Sequence, residues 1–335
     1  MPDESAVQAG APLLPSPSLP PPFLPPPAPS VAANGARRYD GVTYARTLGY
    51  RPRLLDLHLP ATGGPWPVVV WIHGGGWADG DRRYPPPTLP AELLFGSLTG
   101  AGLAVATIDY RHSLEAAFPA QLHDVRAAIR YLRHFADELG LDPARLALWG
   151  ESAGAHLAAL AALAPPVTPD GLDLDGEEGV TATDSGAVRA VVDWYGPAEL
   201  VSAAAAFPAA LALPPVGNPM TALIGAEPDE RPDLVRAASP ASYADHAGPP
   251  FLIIHGTADQ VVPYRQSELL ADRLRPHTGV ELVTVPGADH IFVGADIEPL
   301  VARSVAFLVD RLASRGPLEG SPPRGTAGPS AWGDR

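Results

Sequence analysis

The sequence predicts an α/β fold, with one mostly parallel central sheet, helices on both faces and a small irregular cap. Short apolar runs alternate with helical segments from residue 37 to residue 315, and such alternation builds parallel sheets through crossover helices. Two runs, residues 67–73 (PVVVWIH) and 104–109 (AVATID), are apolar almost throughout. Runs of this kind are typical of strands buried on both faces, so helices are expected on either side of the sheet.

The individual elements follow from periodicity, in chain order. Residues 54–59 alternate apolar and polar side chains and pair with residues 42–46 in a predicted opening hairpin. Residues 121–140 form the clearest helix, because their apolar side chains share one stripe and Gly140 stands where a C-cap belongs. Further strands are predicted at residues 146–149, 188–195, 251–255 and 281–285, and further helices at residues 155–163, 266–274 and 297–312.

Several segments lie outside this pattern. Residues 1–36 are rich in proline, lack periodicity and are predicted to be a disordered tail, as are residues 316–335. Residues 199–243 mix short helical pieces with prolines and are interpreted as a cap over the carboxyl edge of the sheet. Residues 165–187 are acidic and rich in glycine. They are predicted to form a solvated loop, since the spacing and third carboxylate of a calcium loop are missing. The folded domain is thus expected to span residues 37–315.

The overall composition excludes several classes of protein. The 335 residues include 23 basic and 37 acidic side chains, and the net charge of -14 argues against binding to nucleic acid or anionic membranes. No apolar run reaches the ~18 residues of a membrane span. The chain begins MPDE, without the basic start of a secretory signal. A cytoplasmic protein is expected.

Two residue types are absent from the chain. Without cysteine there can be no disulfide, thiolate zinc site or cysteine nucleophile. Without lysine there can be no Schiff base, Ser–Lys dyad or Walker A phosphate loop. Any reactive serine must therefore be activated by a histidine, and no metal or organic cofactor is expected.

The stretch at residues 146–156 (LALWGESAGAH) combines a strand, a sharp turn and a helix. The turn reads G-x-S-x-G, with Ser152 at its centre. Its glycines let strand and helix pass closely, and the strained serine is held with its hydroxyl clear of the sheet. The first amides of the helix lie nearby to receive negative charge. Ser152 is therefore the candidate nucleophile.

Two further reactive residues follow predicted strands. Asp259 lies after residues 251–255 in HGTADQVVP, and His290 lies after residues 281–285 in PGADH. Ligands of such sheets bind beyond the carboxyl ends of the strands. Ser152, Asp259 and His290 are accordingly expected to meet there as nucleophile, acid and base.

Three other residues could compete for the roles of acid and base. Asp193 also ends a predicted strand, but a structural hydrogen bond within its own turn, DWYGP, is favoured. Asp289 adjoins His290, and adjacent side chains usually diverge. His255 lies at a strand end and is interpreted as a structural histidine.

The strand at residues 67–73 runs into three glycines, in HGGGW. Backbone N–H groups there can turn toward a substrate oxygen with no side chains in the way, and with the amide of Ala153 they would form an oxyanion hole. His73 is expected to shape this turn through backbone hydrogen bonds, and His156 to orient the loops. Trp77 either lines the pocket or packs beneath the loop.

Five motifs occur in a consistent order: HGGGW, DYR at residues 109–111, GESAGAH, DWYGP at residues 193–197, and HGTADQVVP. Together they resemble the α/β-hydrolase esterases, with the hormone-sensitive-lipase-like esterases and the feruloyl-esterase-like bacterial esterase/lipase group as the nearest branches. The resemblance covers about residues 37–315 and implies an α/β-hydrolase fold. It also implies a catalytic triad and amide donors. The implied triad is Ser152, Asp259 and His290, and the implied amide donors are Gly75, Gly76 and Ala153.

The sequence departs from that pattern in two places. From Arg111, the last residue of DYR, the chain reads RHSLE to residue 115 and not RLAPE. This difference favours the second branch and weakens the transfer of lipase specificity. Ile291 follows His290 where glycine is more frequent. This substitution is expected to reshape the acyl pocket.

The resemblance implies a serine carboxylic-ester hydrolase that acts through an acyl-enzyme on small acyl or aryl esters. A small-molecule ester is the expected partner, and the oligomeric state is left open. The alternatives are an amide or peptide hydrolase resembling arylformamidases or prolyl oligopeptidases, and a non-catalytic binding protein of the same fold. An intact set of catalytic residues counts against the second alternative. The candidate pocket residues are Trp77, Glu151, Tyr195 and Ile291.

Overall fold

The structure, a computed structural model, describes residues 20–212 and 214–313. The strands are β1 (Ser30–Val31), β2 (Arg37–Ala45), β3 (Arg53–His58), β4 (Trp66–Ile72), β5 (Ala104–Ile108), β6 (Leu141–Glu151), β7 (Val191–Trp194), β8 (Phe251–Gly256) and β9 (Val280–Val285). The helices are α1 (Ala91–Gly100), α2 (Ala120–His134), α3 (Ala136–Leu139), α4 (Ala153–Leu163), α5 (Leu200–Ala206), α6 (Pro219–Ile224), α7 (Pro232–Ala237), α8 (Arg265–Leu274) and α9 (Glu298–Leu312). Short 3-10 turns lie at Ala209–Leu211, Pro240–Tyr243 and His290–Phe292.

These strands form one sheet in the order β1-β2-β3-β5-β4-β6-β7-β8-β9. The pairs from β1 to β5 run antiparallel, and every pair from β5 through β4 to β9 runs parallel. The predicted fold class, a mostly parallel sheet with helices, is therefore confirmed.

Strand β4 shows why helices cover both faces of the sheet. All of its residues are buried. Val68, Val70 and Ile72 belong to the core packed by α2 and α4, whereas Val69 and Trp71 belong to the core shared with α1 and α9. A strand that is apolar at consecutive positions needs a layer on each side to remove both sets of side chains from water.

The strand registers bring several strand ends to one edge of the sheet. Glu151 at the end of β6 lies opposite Trp194 at the end of β7. Gly256 at the end of β8 lies opposite Val285 at the end of β9. Loops that leave these strands start at neighbouring points, and this carboxyl edge carries the candidate site.

Two helices differ from the prediction. The helix predicted at residues 121–140 is divided at Phe135 into α2 and α3, and Gly140 ends α3 in the left-handed conformation with φ of 72°. Helix α1 falls where no element was predicted. It buries Leu94 and Leu98, one turn apart, against the face of the sheet opposite α2.

The predicted cap region, residues 199–243, folds as α5, α6 and α7 with two of the 3-10 turns. Its side chains at Ala203, Phe207 and Met220 reach the cavity at the carboxyl edge. Of the helices that the structure describes, none combines the length and the apolar character needed to cross a membrane.

The N-terminal boundary of the domain was predicted too far along the chain. From residue 20 onward, the segment assigned to a disordered tail packs on the domain. The Phe23 ring lies edge-on to Tyr131 at 6.4 Å between centroids, the Tyr131 hydroxyl donates to the Leu24 carbonyl at 2.8 Å, and β1 pairs with β2. A proline-rich chain can bind in this way because a single aromatic anchor and a few backbone contacts need no periodicity. Residues 1–19 and the second predicted tail lie outside the described residues.

The loop at residues 165–187 is also more ordered than predicted. Leu174 and Val180 are fully buried within it. Three arginines on α2 donate to its backbone: Arg126 to the Leu174 carbonyl at 3.0 Å, Arg130 to the Val180 carbonyl at 2.7 Å, and Arg133 to three further carbonyls. The prediction of a solvated loop was wrong because guanidinium groups replace water as the hydrogen-bond donors.

Candidate active site

The turn between β6 and α4 holds Ser152 in a strained backbone conformation, with φ of 52° and ψ of −120°. A Cβ on Gly150 would lie 2.2 Å from the Gly154 carbonyl oxygen, and one on Gly154 would lie 2.0 Å from the Ile72 oxygen. Only glycine fits at these two positions. The turn therefore lifts Ser152 to the carboxyl edge, where its hydroxyl borders a cavity of about 840 Å³.

The structure brings Ser152, His290 and Asp259 into one hydrogen-bonded row. The Ser152 Oγ lies 3.1 Å from His290 Nε2, and His290 Nδ1 lies 2.7 Å from Asp259 Oδ2. An ionised carboxylate only accepts, so Nδ1 carries the proton and the Nε2 lone pair faces the serine hydroxyl. This arrangement can withdraw the serine proton and stabilise the resulting imidazolium.

Asp259 is held as a carboxylate by several donors. Its Oδ1 accepts from the N–H groups of Val261 and Val262 at 2.9 and 2.8 Å, and its Oδ2 accepts from His255 at 3.1 Å as well as from His290. Burial alone would raise the pKa of Asp259, but the hydrogen bonds from the two histidines outweigh it and hold the pKa well below its usual range. Asp259 is therefore ionised at neutral pH.

The glycine loop after β4 lies on the cavity wall beside Ser152. Gly75 and Gly76 have φ of 96° and 58°, and a Cβ on Gly75 would lie 2.3 Å from the Asp79 carbonyl oxygen. Among the described residues, no acceptor takes the amide N–H of Gly75, Gly76 or Ala153. Three amides of this kind beside the serine can receive a developing oxyanion.

Buried side chains hold this loop from below. The His73 ring stacks on Tyr110 at 4.4 Å between centroids, and its Nδ1 lies 2.8 Å from the Gly74 carbonyl oxygen. Burial lowers the pKa of His73 to about 4, so the ring stays neutral. Glu151 accepts from the Gly74 N–H at 2.5 Å, and burial raises the pKa of this carboxyl. His73 contacts the backbone of the glycine turn as expected.

His156 joins the glycine loop to the cap. Its Nε2 donates to the Ala238 carbonyl at 2.7 Å, so its Nδ1 is free to accept from the Trp77 indole N–H at 3.2 Å. Burial lowers the pKa of His156 to about 4, which keeps the ring neutral in this role. Trp77 both packs on His156 and lines the cavity, so the two alternatives left open for it are each partly right.

The two carboxylates that could compete with Asp259 accept hydrogen bonds from backbone amides. Asp193 accepts from the Gly196 N–H at 2.9 Å, within its own turn, and burial raises the pKa of Asp193 to about 6. Asp289 accepts from the N–H groups of Gln260 and His290 at 2.9 and 2.7 Å. Neither carboxylate bonds an imidazole nitrogen in the part of the chain that the structure describes.

The cavity contains most, but not all, of the predicted pocket residues. Trp77, Glu151 and Ile291 line it. Tyr195 does not line the described cavity, because its ring packs edge-on against His290 at 4.9 Å between centroids and is 1% exposed. Sequence reasoning missed further lining residues, since neither the cap nor the proline loop carries a motif. They are Pro85, Pro86, Pro87, Phe207, Leu211 and Met220.

Residues 20–212 and 214–313 contain no candidate metal-binding cluster. No three His, Cys, Asp or Glu side chains in those ranges are grouped closely enough to hold an ion.

Comparison with known proteins relates the chain to esterases. The BD-FAE family model matches residues 55–274. Esterase LipQ of Mycobacterium tuberculosis is 32% identical over 252 residues, covering 73% of this chain and 55% of LipQ. Esterase LipC of the same organism is 30% identical over 236 residues, covering 68% of this chain and 53% of LipC. The chain thus spans about half the length of these curated relatives.

Solved structures give the same relationship over most of the chain. A truncated carbohydrate esterase from gut microbiota matches with a TM-score of 0.72 at 29% identity, covering 85% of this chain and 99% of that one. Esterase 2 of Thermogutta terrifontis with propionate bound matches with a TM-score of 0.62 at 25% identity, covering 86% and 97%. The latter protein has also been solved phosphorylated by paraoxon. The chain belongs to the BD-FAE family and has the α/β-hydrolase fold of its esterase relatives.

Proposed function

We propose that the protein is a serine carboxylic-ester hydrolase that works through an acyl-enzyme on Ser152. The observation that carries this proposal is the row from Ser152 Oγ through the His290 ring to Asp259, with separations of 3.1 and 2.7 Å, beside three amides without an acceptor among the described residues. A nucleophile, an oriented base and a preformed anion site are the parts that acyl transfer needs.

In the first half of the reaction, His290 Nε2 takes the proton from Ser152 Oγ as the oxygen attacks the ester carbonyl. The amides of Gly75, Gly76 and Ala153 hold the oxyanion of the tetrahedral intermediate. His290 then returns the proton to the leaving alkoxide, and an acyl group stays on Ser152. Asp259 stabilises the imidazolium between these two transfers.

In the second half, water replaces the alcohol. His290 takes a proton from the water as its oxygen attacks the acyl carbonyl, the same amides hold the second oxyanion, and His290 protonates Ser152 as the carboxylic acid leaves. Proton exchange thus involves only Ser152 and His290, and the three amides alone hold the oxyanion.

The proposed partner is a small-molecule ester with an acyl or aryl group of modest size. Proline and cap side chains line the cavity of about 840 Å³, and its walls are mostly apolar. Walls of this kind favour apolar groups over strongly charged ones, because a buried charge without a partner is costly.

The proposal is tested with Ser152→Ala, assayed on p-nitrophenyl esters of increasing chain length. Turnover should fall on the order of 10⁶-fold, since the nucleophile is lost, while the Tm stays near that of the unmodified protein. Paraoxon should add one diethylphosphoryl group to the unmodified protein and none to Ser152→Ala. A matched control, Ser97→Ala at a half-buried serine of α1, should keep both properties. A folded Ser152→Ala protein that keeps a tenth of the turnover contradicts the proposal.

A further inference from the structure

Asp259 accepts from a second histidine that the proposed chemistry does not use. His255 lies in β8, is fully buried, and its Nε2 is 3.1 Å from Asp259 Oδ2, the same oxygen that faces His290. The Nε2 also lies 2.9 Å from the Val262 carbonyl oxygen. His255 therefore contacts the proposed catalytic acid directly, at the same oxygen as His290.

The neighbours of His255 determine where its proton lies. The Val262 carbonyl and the ionised Asp259 carboxylate can only accept, so Nε2 carries a proton and donates it between them. On the other side of the ring, Nδ1 lies 2.7 Å from the hydroxyl of Ser267, which is 1% exposed. That hydroxyl can donate to Nδ1, which leaves Nε2 as the nitrogen that carries the proton toward Asp259.

We propose that His255 is a positioning residue for the catalytic acid. It donates a permanent hydrogen bond to Asp259 Oδ2, which aims this oxygen at His290 Nδ1 and withdraws part of its negative charge from His290. The inference rests on the proposed function, since it assigns His255 a role only if Asp259 serves His290 in acyl transfer.

Charge withdrawal has a definite effect on the base. A carboxylate oxygen that is shared between two donors attracts the His290 proton less strongly than one with a single donor. The activity is therefore expected to extend further toward acid with His255 than without it. Without His255, Oδ2 would also lose one of the contacts that orient it, and small displacements of an acid–base pair reduce rates strongly.

Other titratable groups face His290 and His255, and a substitution at His255 leaves those groups in the protein. Glu151 and Tyr195 face His290 from the ends of β6 and β7. Asp193 on β7 and Tyr264 before α8 face His255. Asp289 precedes His290 on its own turn and is half-buried.

The test compares three variants. His255→Phe keeps an aromatic ring and loses both nitrogens, His255→Gln keeps an N–H near the position of Nε2, and Ser267→Ala keeps the imidazole but frees its tautomer. In His255→Phe, kcat should fall about 10- to 100-fold with little change in KM. In the pH profile of its kcat/KM, the acid limb should move to higher pH by about half a pH unit to one pH unit.

The other two variants separate positioning from packing. His255→Gln should recover most of the kcat and return the acid limb toward its original place, whereas Ser267→Ala should move the limb upward by a smaller amount. Superimposable acid limbs for all four proteins overturn the proposal. The proposal is also overturned if His255→Gln is as impaired as His255→Phe while the acid limb stays in place, because that result would indicate a role in packing alone.

The rate of phosphorylation by paraoxon, together with a control on the unmodified protein, separates a failure of the His255 proposal from a failure of the proposed function. The second-order rate of phosphorylation by paraoxon reports the base without a full turnover, and it should fall in His255→Phe together with kcat. An unmodified protein that neither turns over esters nor reacts with paraoxon contradicts the proposed function, and not the role of His255. If His255→Phe fails to fold, the acid limbs of His255→Gln and Ser267→Ala still decide.

Discussion

The ends of strands β7 and β8 offer a direct comparison, because each places a buried aspartate near the same edge of the sheet. Asp193 lies inside β7 and turns back to accept one N–H from Gly196. Asp259 follows the end of β8 at Gly256 and accepts from two imidazoles and two backbone amides. Burial acts on both carboxyls, yet it raises the pKa of Asp193 to about 6, while the donors hold the pKa of Asp259 well below its usual range. The position of each aspartate relative to the end of its strand, more than its burial, decides which carboxylate reaches an imidazole.

The largest expected effect comes from neutralising each aspartate in turn. Asp259→Asn should lower kcat about 10⁴-fold, because an amide can stabilise the wrong tautomer of His290 and cannot stabilise its charged form. Asp193→Asn should change kcat by less than about tenfold, since an asparagine oxygen can still accept from the Gly196 N–H. Rates of p-nitrophenyl ester hydrolysis check both. A larger loss in Asp193→Asn would reverse the assignment of the acid.

The glycine that ends β8 sharpens the comparison by testing geometry without changing charge. A Cβ on Gly256 would lie 2.3 Å from the Ala288 carbonyl oxygen, just before His290. Gly256→Ala should displace the His290 turn and lower kcat roughly 10- to 100-fold. Gly279→Ala, at the opposite end of the same strand pair, meets only Pro250 at 3.8 Å. This control should keep full activity, and equal losses in the two variants would contradict the argument.

The smallest effect concerns stability against pH. The raised pKa of Asp193 means that the folded protein binds a proton more tightly than the unfolded chain. The stability from this group is fully present below about pH 4, and it is lost as pH rises through about 6. Asp193→Asn should therefore gain stability over the unmodified protein by up to roughly 3 kcal/mol between those limits.

Urea unfolding at pH 4 and pH 7 measures this difference. Asp259→Asn is the opposite case, because the lowered pKa of Asp259 contributes stability above about pH 4 that is lost only in strong acid. It should lose stability relative to the unmodified protein at pH 7. Identical pH slopes for the unmodified protein and Asp193→Asn would show that folding does not raise the pKa of Asp193.

The sequence was sufficient to predict the sheet and to choose the three residues that meet at its edge. Strands such as β4 are recognisable because burial on both faces demands consecutive apolar residues. Ser152 is recognisable because its turn requires glycine on both sides. In each case the physical requirement acts on neighbours in the chain, and the pattern can therefore be read from a short window.

The features that sequence analysis missed depend on contacts that only the folded chain brings together. Phe23 finds Tyr131 on α2, and His255 finds Asp259 only because the loop after β8 folds back on its own strand. Helix α1 needs just Leu94 and Leu98 to bind the sheet, too few to produce a clear period. Nothing in the local sequence marks such partners in advance.

The three arginines of α2 that bind the loop at residues 165–187 have a consequence for how the chain can vary. Most of their acceptors are carbonyl groups, at Leu174, Val180 and neighbouring positions, and every residue type carries a carbonyl, proline included. The Asp175 carboxylate, 3.3 Å from Arg130, is a side-chain exception. The loop can therefore exchange most of its exposed side chains in the course of evolution and keep its path. The helix has no such freedom, because a lysine would replace a planar fork of donors by a single ammonium group.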